Sequence, residues 1–178
     1  MKKIIINVAI IISFIFIYLL QANFFTWFKI AGVMPNLLII LMLYIGLFMG
    51  KSTAITYGII LGMLVDIFIG RRLGITSIML AVIGVLANLF DKNFSKDNRI
   101  TVMAMVAIIT IIYEIGVYII SYAILNINAE ILAFIKILLI EAIYNVILTI
   151  IIYPLMQLTG YDVEEEYKGS KVLTRYFK

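Results

Sequence analysis

Three carboxylates, Asp66, Glu114 and Glu141, stand inside long apolar runs, and one amine, Lys136, stands inside the last of them. A charge in such a run is expensive, which makes each of the four a candidate for function. At the helical rise of 1.5 Å per residue, Glu114 and Glu141 each fall about 16 Å in from the outer ends of their runs, near a membrane midplane. Two ionised carboxylates at one depth in a low dielectric repel, so at least one of them carries a proton or a hydrogen bond. Asn145 follows Glu141 by one helical turn, and Tyr113, Tyr118 and Tyr144 supply hydroxyls close by in sequence. Asp66 lies about 6 Å and Lys136 about 9 Å below the outer ends of their own runs. Those depths pair Asp66 with Lys136, and Arg71 and Arg72 can snorkel toward the same carboxylate. The chemistry open to these groups is a proton or cation relay, or recognition of a polar substrate. The plainer role is internal pairing that fixes how helices meet, and the lack of a connected relay favours it.

Other chemistry is excluded by composition. The chain has no cysteine and no histidine, which removes disulfides, thiolate or imidazole metal sites, and Ser-His or Cys-His catalysis. A metal would have to be held by carboxylates and carbonyls alone, so no metal, cofactor or catalytic residue is expected. Gly50-Lys51-Ser52 has the ending of a phosphate-binding loop, but that loop needs four residues between its glycines, and only three separate Gly46 from Gly50. An apolar run precedes it where a strand is required. Nucleotide binding is not the reading.

A second pattern concerns contact rather than chemistry. A small or acidic residue recurs at every fourth position in Gly46, Gly50, Ala54, Gly58, Gly62, Asp66 and Gly70. Residues four apart share one helix face. Ala54, Gly58, Gly62, Asp66 and Gly70 therefore form a smooth face on which another helix backbone can come close, as association in lipid relies on packing. The occupant of that face is either another helix of this chain or a partner protein; the spacing does not choose.

The elements that must carry these residues are transmembrane helices. Hydrophobic residues make up 65% of the 178 and charged residues 13%, against roughly 45–50% and about 25% in soluble domains. The mean hydropathy is +1.16. Six apolar runs span the chain, over about 4–20, 35–49, 53–69, 75–90, 100–125 and 130–158, with Pro154 expected to kink or end the last. The expected architecture is an all-α bundle over 1–160 with a charged tail over 161–178. Phe24, Phe25, Trp27, Phe28 and Lys29 suit an interfacial belt between the first two runs. With the N-terminus inside, ten Lys and Arg fall on the cytoplasmic side, and Lys29, Arg71 and Arg72 fall outside. That asymmetry places both termini in the cytoplasm. The net charge of +4 reflects this orientation and needs no nucleic acid.

Several local patterns together carry a family likeness. Pro35-Asn36-Leu37-Leu38 opens the second run, and Tyr44-x-Gly46-Leu47-Phe48-x-Gly50 closes it. Gly58-x-x-x-Gly62-x-x-x-Asp66-x-x-x-Gly70-x-x-x-Gly74 fills the third run and its turn. Tyr113-Glu114 lies in the fifth run, with Tyr144-Asn145 and Tyr153-Pro154 in the sixth. Over essentially its whole length the chain resembles the rod shape-determining protein MreD family, departing from it at Arg71-Arg72. The resemblance implies a non-enzymatic component of the bacterial cell-elongation machinery in the cytoplasmic membrane. It further implies work alongside MreC, MreB filaments, the RodA glycosyltransferase and a class B penicillin-binding protein. The bundle such a family forms is thought similar to the substrate-binding subunits of energy-coupling-factor transporters, an analogy of fold alone. The rival expectation is a small transporter subunit holding a ligand among the third, fifth and sixth spans.

Overall fold

A computed structural model describes residues 2–69, 74–125 and 130–169. Among these the chain forms six helices and no strand: α1 (Lys2–Trp27), α2 (Leu37–Met49), α3 (Lys51–Ile69), α4 (Ile75–Asn93), α5 (Arg99–Leu125) and α6 (Ile131–Lys168). Helices rich in Ile and Leu are the natural answer to a bilayer, where every backbone N–H and C=O must be paired within its own segment. Five of the six are long and apolar enough to cross a membrane. The multi-pass membrane character read from the sequence is what the structure has.

The centre post is α2. It has 13 residues, all buried except the half-buried Tyr44. That length rises only about 20 Å, two-thirds of a hydrocarbon core of about 30 Å. The non-helical stretch 28–36 leads into it, with Ala31 and Gly32 at positive φ and Ile30 and Val33 exchanging backbone hydrogen bonds. Pro35 therefore belongs to an extended entry, and the helix begins at Leu37. Gly50, at φ 87°, ends α2 and turns the chain directly into α3. Its lack of a Cβ is what permits that conformation.

Helix α4 is wedged between α3 and α2, and α5 and α6 close the remaining sides. The first helix is the outlier. Only 11% of its span is buried, against 44% for α4, so α1 leans on the bundle with most of its isoleucines facing outward. It continues past the expected end of the first run through a π-helical turn at Leu20–Phe24 as far as Trp27. Trp27 is 88% exposed, while Phe25 is buried and meets the Tyr144 ring edge-on.

The last helix departs from expectation. Pro154 neither ends it nor confines it to 130–158: α6 runs 38 residues to Lys168 with Pro154 inside. Proline removes one backbone hydrogen bond, but the turns beyond it are anchored well enough to keep winding. Val163 and Glu164 are buried. Residues 161–168, expected to belong to a charged tail, thus continue the helix, and residues 170–178 lie outside the described residues.

Candidate functional site

The two midplane acids meet. Glu114 on α5 and Glu141 on α6 stand close enough to interact electrostatically. Asn36, Tyr113 and Thr76 lie around the pair. A line of hydrogen bonds runs beside it. The Asn36 amide donates to Asn145 Oδ1 at 2.8 Å, Asn145 Nδ2 donates to Thr110 Oγ1 at 3.1 Å, and Thr149 Oγ1 donates to the Asn145 carbonyl at 2.7 Å. Asn145, Thr110 and Thr149 are all fully buried.

The shortness of α2 explains this cluster. A helix that begins at mid-depth exposes its first backbone amides where no water can pair them. Asn36 caps nothing with its own side chain. Asn145 reaches across from α6 instead and takes the Asn36 N–H. The start of α2 is thereby tied to α6, and α6 to α5. Two acceptors are left over: Glu141 Oε1 and Asn36 Oδ1 are buried with no partner.

Asp66 follows the same logic and corrects a sequence expectation. It is 3% exposed, and its Oδ2 accepts from Gly74 N at 2.8 Å and from Ser77 N at 3.3 Å. These are the N-cap amide and the third amide of α4, where the capping residue Gly74 has no side chain of its own. Asp66 on α3 therefore supplies a borrowed cap, and its negative charge suits the positive end of the helix dipole. The pairing with Lys136 fails because Lys136 is exposed on α6, and no ion pair joins the two among the described residues. Arg71, Arg72 and Gly70 lie outside the described residues.

The smooth face of α3 is occupied from within. A Cβ on Gly58 would stand 2.5 Å from the Cα of Ala81, and one on Gly62 would stand 2.4 Å from the Cα of Ser77. Ala54 lies against Gly84, and Gly46 on α2 fits against Ala87 on the other side of α4. The alternating small residues hold α4 between α2 and α3. With α4 seated there, the face offers no room to a partner.

One feature escaped the sequence reading. At the basal end, where Lys2, Gly50 and Lys168 gather, four charges form a buried clasp. Lys96 Nζ donates to Glu164 at 2.6 Å, to Asp91 at 2.8 Å and to the Leu47 carbonyl at 3.4 Å. Lys168 Nζ donates to Asp91 at 2.7 Å, to Glu164 at 3.1 Å and to the same carbonyl. Lys96 and Glu164 are about 5% exposed, so Glu164 is not a solvated residue of the charged tail expected over 161–178. Glu164 and Lys168 stand four apart on one helix, a legible signal. Asp91 and Lys96 sit on either side of a helix end, where spacing says nothing about approach.

A family model described as rod shape-determining protein MreD matches residues 1–159. The chain belongs to the MreD family. No curated protein and no solved structure matches it, so the likeness to energy-coupling-factor subunits has no structural match behind it. The matched span contains every intramembrane polar residue named above and stops short of Glu164 and Lys168. In this member of the MreD family the clasp is closed by a helical extension lying outside the matched region.

Proposed function

We propose that this protein is a non-enzymatic membrane component of the bacterial rod-shape complex, binding MreC and helping to position peptidoglycan synthesis. MreB, RodA and a class B penicillin-binding protein are its partners at one remove. The observation that carries the reading is the MreD family match across 1–159. The interior supports it: the intramembrane acids are engaged with neighbouring helices and backbone, an arrangement suited to holding a shape. The Lys and Arg asymmetry supports a cytoplasmic-membrane location with both ends in the cytoplasm. Because α4 fills the Gly58–Gly62 face, MreC has to approach a different surface. The test is copurification from membranes with tagged MreC, combined with cell shape after depletion. Stable coelution and rounded cells are expected; normal shape and no coelution overturn the reading.

The rival is a transporter subunit with a ligand between helices, and one observation favours it. Glu141 Oε1 and Asn36 Oδ1 are buried acceptors that lack a donor. A small molecule retained at Glu141 in the purified protein, together with failure to bind MreC, transfers the assignment to that class.

A further inference from the structure

Two recesses meet along α1 at the basal end. One, of about 450 Å³, is apolar, walled by Ile10 and Ile17 of α1, Leu41 and Tyr44 of α2, and Leu155 and Met156 of α6. The other, of about 590 Å³, is charged and holds Lys2 with Asp162, Glu165 and Glu166. Ile5, Ile6 and Asp162 line both, so the groove opens directly into the charged mouth. Along α1 the groove runs from Ile5 to Ile17, a rise of about 18 Å. Half of a hydrocarbon core is about 15 Å. The groove is one leaflet deep. A transmembrane partner would want a seat through both leaflets, whereas a single acyl chain is matched by this length and by a mouth at headgroup level.

The mouth chooses among lipids. Lys3 is turned onto the Tyr167 ring, 5.5 Å from its centroid, and Lys168 is held in the clasp, so neither serves it. Lys2 is left with three carboxylates that form no ion pair among the described residues. An anionic headgroup would meet an excess of negative charge there. A headgroup with both a phosphate and a primary ammonium fits, its phosphate on Lys2 and its N–H donors on the carboxylates as charge-assisted hydrogen bonds. We propose that the groove between α1, α2 and α6 binds a phospholipid with a primary-amine headgroup, one acyl chain in the groove and the ammonium at Asp162, Glu165 and Glu166. The site stands apart from the MreC reading and does not depend on it.

Native mass spectrometry of the full chain, released from nanodiscs containing phosphatidylethanolamine, phosphatidylglycerol and phosphatidylcholine in equal amounts, tests this. Phosphatidylethanolamine should be retained over each of the other two by roughly fivefold, the scale of exposed ion pairing. The triple change Asp162→Asn, Glu165→Gln and Glu166→Gln should abolish the preference, and Ala9→Phe, which fills the groove, should lower retention of every lipid. Equal retention of the three lipids by the wild-type chain overturns the proposal without recourse to any variant. So does a preference that survives in the triple variant, or crosslinks showing a second copy seated in the groove.

Discussion

At the scale of single residues the recurring device is a polar side chain lent by one helix to the unpaired end of another. Asp66 lends to α4 and Asn145 to α2. Asp66→Ala leaves the buried Ser77 amide and the partly buried Gly74 amide without their acceptor and should destabilise the protein by about 1–3 kcal/mol for the buried one, read as a lower melting temperature in detergent. Asp66→Asn keeps an acceptor oxygen and should fall between. Lys136→Met should change neither the wild type nor the Asp66→Ala variant; rescue of Asp66→Ala by Lys136→Met would show that the two residues are paired in the native protein and refute the borrowed cap. The clasp makes a different prediction. Lys96→Met strands a buried carboxylate and should cost about 3–5 kcal/mol, whereas Lys96→Met with Glu164→Met leaves one neutral pair and should be milder. A double variant as unstable as the sum of the singles would show that Lys96 and Glu164 act separately.

At the scale of helices, contact geometry decides which changes matter. Gly62→Leu must push Ser77 and the start of α4 away, so it should lower the yield of folded protein and melt early, while Ile60→Leu at an exposed position should be nearly silent. A Gly62→Leu protein with an unchanged melting curve would mean that α4 does not sit on that face. The four-residue run announced this contact from sequence, since a stripe of small residues has one use in lipid. It could not announce the occupant, because two helices of one chain and two of different chains present the same chemistry. The six helices were legible from their apolar runs, and the late end of α6 was not. Pro154 is a local stop signal, and it was overridden by Glu164 and Lys168, whose ionic partners Asp91 and Lys96 lie more than sixty residues earlier in the chain. Removal of residues 160–178 should therefore destabilise the bundle measurably, whereas loss of a solvated tail would leave its melting temperature unchanged.

At the scale of the whole molecule, reporter fusions at Lys3 and Lys178 should both report cytoplasm; opposite readings would require an odd number of crossings. The contact between Asn36 and Asn145 joins residues 109 apart, one near the start of the bundle and one on its final helix. Synthesis delivers α2 long before α6 exists. Until the last helix arrives, the leading amide of the centre post has no acceptor at mid-depth, and the membrane supplies none. A ribosome stalled before Ile131 should accordingly leave a chain that quality-control proteases clear quickly, and an α6 fragment supplied in trans should protect it. The helical bundle closes only when α6 has been made.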